Sequence, residues 1–284
     1  MKHSITIAWI SLCLLTVISC NEDSEIAYIE YQPQIVVEGR IENGGKAIVL
    51  LSWSASFRHE LDTAYLLGQI IRSAKVSVSD GEQTELLTLG VDNRYLPPYI
   101  YYGRTITGEV GKTYSLKIEY RGKTLRAETH IPKPVPLESC RFIKDSPDDS
   151  IGHVHIRFGN TSEEYYQIAT RVMIRENIFT PCLHGNLSSL QFGKNETVSL
   201  RIHKGPILYP EEQFETYFTV GSWIEVEFRT QSREGYDFWN SWQNEVLNAQ
   251  NPIFPAYTSL KSNIQGGIGI WCGYGVYNYL IQAK

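Results

Sequence analysis

Residues 112–131 read "KTYSLKIEYRGKTLRAETHI". Tyr114, Leu116 and Ile118 alternate with Ser115, Lys117 and Glu119. A period of two places the first set on one face of a strand and the second on the other. Arg121-Gly122 separates two such runs, at the spacing of a two-residue hairpin turn. The same pattern recurs upstream. "PQIVVEGRI" is followed by the turn signal "ENGG" and then by "KAIVLLSWS". "IIRSAKVSVSDG" ends in Asp80-Gly81, and "EQTELLTL" can pair back across that turn. Residues 33–131 therefore predict a small N-terminal β-sandwich.

The order of those segments resembles immunoglobulin-like and transthyretin-like modules. Pro132, Pro134 and Pro136 follow in "IPKPVPLESC". They remove backbone donors and favour extended geometry, which sets an expected linker at 132–138. Beyond it, "DSIGHVHIRFGN", "EYYQIATRVMIRE" and "SWIEVEFRTQS" read as strands, while residues 177–215 read as irregular with short β runs. The period then changes. Tyr236, Trp239, Trp242 and Val246 recur at helical spacing, and Ser232 is placed to cap a helix over about 232–248. Pro252 and Pro255 end it, and a Gly-rich β segment closes the chain. The expected fold is all-β: two β-sandwich-like domains, the N-terminal one immunoglobulin- or transthyretin-like, with one short helix in the C-terminal domain at 139–284.

The start of the chain carries a different signal. Lys2 precedes an apolar stretch from Ile5 to Ile18, and "VISC" ends at Cys20. The stretch is shorter than the roughly 20 apolar residues of a membrane-spanning helix and has signal-peptide length. "VISC" resembles a bacterial lipobox. In that reading residues 1–19 are a signal peptide and Cys20 becomes residue one, carrying diacylglycerol on sulfur and an acyl chain such as palmitate on its amine. Each buried methylene contributes roughly 0.8 kcal/mol, so several chains anchor firmly where one would not. Residues 20–32 then form an acidic tether. Asn21, Glu22, Asp23, Ser24 and Glu25 resemble the export signal that sends Bacteroidota lipoproteins to the cell surface. The expected location is the outer membrane, lipid-anchored and facing outward.

Composition narrows the functions. The formal net charge is −5 and no basic block occurs, which argues against nucleic-acid binding. The 18 Tyr and 6 Trp suit exposed sheets and recognition surfaces. Cys13 leaves with the signal peptide and Cys20 takes lipid, so Cys140, Cys182 and Cys272 can form at most one disulfide. Buried thiols are the expected state. No CxxC or other metal spacing occurs, and no metal or cofactor is expected.

Candidate chemistry is thin. Gly111-Lys112-Thr113 mimics a phosphate loop, but Ile106 stands where that motif needs glycine and a strand follows where it needs a helix. His153 and His155 share one face of a strand, as two metal ligands can, yet alternating surface residues do the same. His184 and His203 have no assigned place. Glu163-Glu164 and Asp148-Asp149 are adjacent pairs, whereas glycoside hydrolysis needs carboxyls about 5–9 Å apart across a cleft. No hydrolase signature appears, so no catalytic residue is expected. The stretch "NRYLPPYIYYGR" is the expected binding loop. Its Arg94, Tyr95, Tyr99, Tyr101, Tyr102 and Arg104 are types favoured at binding hot spots. The Tyr236, Trp239 and Trp242 stripe is expected in the core, and Gly266, Gly267 and Gly269 are expected to serve backbone geometry. Asp62-Thr63-Ala64 and Asp149-Ser150-Ile151 look like short Bacteroidota O-glycosylation sites, which would need exposure.

Three stretches together carry a family resemblance: "IVVEGRIENGGKAIVLLS", "SREGYDFWNSW" and "NPIFPAYTSLKSNIQGGIGIWCGYG". They resemble the Bacteroidota outer-membrane lipoproteins described as a domain of unknown function (DUF 4249). Trp271 stands where that family usually has Phe. The resemblance covers nearly all the mature chain. It implies a gene beside a TonB-dependent outer-membrane transporter and an accessory role in uptake or assembly. It brings no catalytic residue. The expected function is binding or accessory work in such a system, with an unidentified ligand. The alternatives are an envelope structural or adhesive lipoprotein without a transporter, and a surface hydrolase.

Overall fold

The computed structural model describes residues 32–54, 63–95, 98–161, 164–205, 216–249 and 260–284. Pro33–Lys284 form one compact unit. The signal peptide, Cys20 and the Asn21–Glu25 export signal lie outside the described residues.

The unit is built on one long sheet that both halves of the chain enter. Its strands are β1 (Ile35–Glu42), β2 (Lys46–Trp53), β5 (Thr88–Val91), β6 (Tyr99–Thr107), β11 (Tyr165–Val172), β12 (Thr180–Ser188), β15 (Trp223–Gln231) and β16 (Ile268–Gln282). Their order is β12-β11-β15-β16-β1-β2-β6-β5. Two smaller sheets are each four-stranded. One joins β3 (Lys75–Ser79), β4 (Thr84–Leu86), β7 (Thr113–Tyr120) and β8 (Lys123–His130); the other joins β9 (Leu137–Lys144), β10 (Ile151–Gly159), β13 (Thr197–Ile202) and β14 (Phe218–Thr219). A short helix α1 (Thr63–Gly68) follows β2, and α2 (Arg233–Ala249) follows β15.

Each small sheet closes its own core against the long one. Val37, Val49, Val76, Tyr114, Leu116, Ile118 and Leu125 fill the first core. Val154, Ile156, Phe158, Ile168, Val226 and Phe228 fill the second. The all-β, sandwich-like reading with a helix after Gln231 thus holds. The linker separates the two cores but not the sheet. β1 pairs in parallel with β16, Gly39 facing Trp271. Trp271 and Ile264, from the end of the chain, lie in the first core, while Tyr279 and Ile281 of the same strand pack on the second.

The hairpins follow their turn residues. Arg121 and Gly122 both take positive φ, +47° and +78°, as this mirror-image turn demands. Asp80 Oδ1 accepts the backbone N–H groups of Glu82 and Gln83 at 3.1 and 2.9 Å. Residues 177–215 are more regular than alternation suggests, since β12 and β13 lie within them. Pro181 is tolerated because β12 is an edge strand. A bulge opposite β11, with His184 at φ +54°, breaks the period of two.

The Gly-rich ending serves the backbone. Gly269 has φ +125°, and a Cβ there would overlap the Val37 carbonyl. A Cβ on Gly39 would lie 2.7 Å from Trp271 Cε3, so Gly39 gives the indole its seat. Asn263 clamps Trp271 through both backbone groups: its Oδ1 accepts the Trp271 N–H at 2.9 Å and its Nδ2 donates to the Trp271 carbonyl at 2.8 Å. The indole Nε1 donates to the Tyr114 carbonyl at 2.9 Å. Gly273 and Gly275 leave room for the chain at His130–Lys133, which crosses over β16.

Substituting Gly269→Ala should therefore cost more than about 3 kcal/mol, because it adds a clash to an unfavourable φ. Gly44→Ala, at φ +74° with nothing within 4 Å, should cost only about 1–2 kcal/mol. Urea denaturation of the two variants measures the difference.

Candidate functional site

The outer face of the long sheet, away from both cores, carries mixed rows in which single charged residues stand between apolar neighbours. Cross-strand neighbours share a face, so Leu50, Glu38 and Ile270 form one row, and Ile48, Arg40 and Cys272 the next. Tyr274 faces Gln231, and Val276 faces Arg229, which in turn faces Gln167. Helix α2 lies over part of this face, with Phe238 packed on Ile270, Cys272, Tyr274 and Val276. Ser232 caps the helix by accepting the Gly235 N–H at 3.3 Å. Where the helix stops covering the sheet, a recess remains. Glu38, Arg40, Arg229 and Tyr274 contribute to it from the sheet, and Tyr95, Phe179, Pro181 and Trp239 stand around it. It encloses about 490 Å³ counted out to its open mouth, around a cavity of about 50 Å³.

Charge is arranged with care. Arg229 is only 3% exposed. Its Nε donates to Glu227 Oε2 at 2.8 Å, its Nη1 donates to Gln167 Oε1 at 2.7 Å, and its Nη2 also bonds Glu227. Its guanidinium lies 5.2 Å from the Tyr274 ring centroid. Burial opposes the charge, but Glu227 and Glu42 outweigh it and raise the pKa, keeping Arg229 protonated. Trp239 Nε1 donates to the Tyr274 hydroxyl at 2.7 Å, tying helix to sheet. Arg40 bridges outward, with Nε 3.3 Å from Glu42 Oε1 and Nη2 donating to Tyr95 Oη at 3.2 Å. Glu38 differs from these groups. Among the described residues it has no hydrogen bond or ion pair. It is an exposed residue at the recess it lines, and desolvation there raises its pKa, with Arg40 and Arg229 opposing the shift.

The expected binding loop is largely a strand. Tyr99, Tyr101, Tyr102 and Arg104 lie on β6. Tyr101 is core: its hydroxyl donates to the Ile71 carbonyl and accepts from the Ala74 N–H, both at 3.0 Å. Arg104 folds back on Tyr102, Arg72 stacks on Tyr99, and Arg94 pairs with Asp92. Only Tyr95 of the six reaches the recess. Residues 96–97, with Pro97, lie outside the described residues. Alternation in "YIYYGRTIT" is hidden because nearly every position is aromatic, apolar or β-branched.

Of the other candidates only His153 and His203 come together, their ring centroids 6.1 Å apart. His153 is buried and pairs with Asp145 at 2.8 Å, while His155 Nε2 meets Ser199 Oγ at 3.0 Å. His203 stacks edge-on with Tyr217, and His184 is an exposed bulge residue. No group of three His, Cys, Asp or Glu is arranged around a metal among the described residues. Asp148 and Asp149 sit in a turn, Glu163 lies outside the described residues, and Glu164 is far along the chain from both. Gly111 turns into β7. Ser150 is exposed, while Asp62 lies outside the described residues. Cys140, Cys182 and Cys272 are free, and burial pushes each thiol up to about 12. Tyr236 and Trp242 are half-buried flanks, whereas Phe238, Gly235 and Ser241 are buried on the side facing the sheet.

The sequence reading missed Glu38, Arg40 and Arg229. Each is the polar member of an alternating strand, the usual mark of solvent. Only α2 folding over the sheet makes a recess of them.

Two outcomes follow. Arg229→Met leaves Glu227 buried and unpaired, so it should cost about 3–5 kcal/mol, and adding Glu227→Gln should recover part of that by urea titration. Glu38 has a raised folded pKa, so its ionisation works against the fold. Glu38→Gln should be more stable than the parent near neutral pH. The advantage should vanish once pH falls below the ordinary Glu value of 4.5, as melting at a series of pH values will show.

A search among curated proteins finds no match to this sequence. Residues 21–279 match the family described as "Domain of unknown function (DUF4249)". That match spans nearly the whole chain, both cores and the recess, and the chain belongs to this family.

Proposed function

We propose that this chain is an outer-membrane lipoprotein, held at the cell surface by Cys20, and that it works as a binding or accessory component of a TonB-dependent uptake system. The single observation that carries the binding role is the recess: a free carboxylate and two compensated arginines on a rigid sheet, walled by aromatic side chains. Binding sites are commonly concave and apolar-walled, with a few oriented polar groups. The anchoring rests on the lipobox resemblance of "VISC" and on the acids at Glu22, Asp23 and Glu25. The family match starting at residue 21 fits a mature chain that begins at Cys20. The transporter partner rests on what the Bacteroidota family resemblance implies. Chemistry at a cysteine is disfavoured, since a thiol that titrates near 12 supplies almost no thiolate at neutral pH.

The test is a gentle detergent extraction of outer membranes, with a C-terminal tag and mass spectrometry. The expected result is a mature N-terminus at acylated Cys20 and a TonB-dependent barrel at comparable abundance. Cys20→Ser should release the protein from the membrane fraction. A protein recovered alone under several mild detergents would overturn the accessory role and favour adhesion or scaffolding.

A further inference from the structure

The ion pairs around the recess leave one charge over. Arg229 is matched by Glu227, and Arg40 by Glu42. Glu38 feels both arginines but has no hydrogen bond or ion pair of its own among the described residues, and it lines the recess. An anion placed there would face Glu38 while both arginines are already engaged. A cation would complete the charge balance. The walls add a second preference, because Trp239, Tyr95 and Phe179 stand around the same space, although Arg171 already stacks on Phe179. Aromatic faces attract ammonium and guanidinium groups and also cover the apolar stems that carry them. Size gives the third constraint. A water needs roughly 10–15 Å³ of cavity, and the cavity here is about 50 Å³. That leaves room for a side-chain-sized group beyond a single water.

We infer that the recess binds a side-chain-sized organic cation, an ammonium or guanidinium group whose charge meets Glu38 and whose stem lies among Trp239, Tyr95 and Phe179. This deepens the binding reading above and rests on it. The cation can arrive on a small molecule or on the Lys or Arg side chain of a polypeptide. Ionised Glu38 is the partner, so affinity rises with pH as Glu38 loses its proton. The charged and titratable groups around it are Arg40 and Glu42 on its own strand, Arg229 with its partner Glu227 on β15, Tyr274 on β16, Tyr95 before β6, and Arg171 of β11 stacked on Phe179. β2 presents only Ile48 and Leu50, and α2 presents Trp239.

The full chain in mild detergent should be titrated calorimetrically with N-acetyl-lysine methylamide, its arginine counterpart and the neutral norleucine analogue. A Lys-rich peptide forms the second arm. Either cation should bind at least about tenfold tighter than norleucine, and Glu38→Gln should erase that preference. Affinity should climb as pH rises above the ordinary Glu value of 4.5 in the parent protein, which needs no variant. Trp239→Leu should weaken the cations as a separate check. A firmer grip on the peptide assigns the cation to a polypeptide, and an equal grip assigns it to a small molecule. Equal binding of norleucine, no binding of any probe, or a preference that survives Glu38→Gln would overturn the inference. Recovery of the barrel does not depend on Glu38, so the accessory role and the ligand class fail separately.

Discussion

The parallel pairing of β1 with β16 is the contact on which the rest of this molecule depends. It joins the first strand of the described body to the last. Trp271 enters the first core through it, seated over Gly39 and held by Asn263 and Tyr114. Burying an indole this fully contributes about 3–5 kcal/mol against its truncation, a large share of the stability of an ordinary domain. The first core therefore stays open until the end of the chain arrives. Such long-range parallel pairing is slow to form because loop closure must come before its contacts.

The same strand explains why two cores make one body. β16 gives Trp271 to one core and Tyr279 and Ile281 to the other. Between them, Gly273 and Gly275 let the Pro-rich crossing lie directly on the strand. Gly273 N–H donates to Thr129 Oγ1 at 2.8 Å, and the Tyr279 hydroxyl accepts the Leu137 N–H at 2.6 Å. The crossing is thus stitched to the sheet on both sides, where a free linker would leave its backbone groups to water. The opposite face of β16 carries α2, and the edge of that helix shapes the recess. One strand in this way sets both cores and positions the candidate site.

Local structure was largely legible because it depends on local rules. Turn residues Arg121-Gly122 and Asp80-Gly81, the alternation in β7 and β15, and the helical spacing after Ser232 all act over a few residues. The glycines of "SNIQGGIGIW" were legible as backbone devices, but not their partner at Gly39, more than two hundred residues away. The aromatic stretch at Tyr99–Arg104 misled for a physical reason: Tyr suits a recognition loop and a buried strand equally, since its ring packs while its hydroxyl finds a carbonyl. Tyr101 does the latter.

The sequence by itself determined that this chain is built of strands, where most of its hairpins turn, and that one helix follows the "IEVEFRTQS" strand. Those outcomes rest on side-chain period and on backbone preferences that neighbours in sequence enforce. Tertiary structure alone decided that the halves share a sheet and that Glu38, Arg40 and Arg229 meet. A polar residue on an alternating strand reads the same whether water or a helix lies above it. Which of the two it meets is settled by packing between distant segments, and that packing leaves no periodic trace in any one of them.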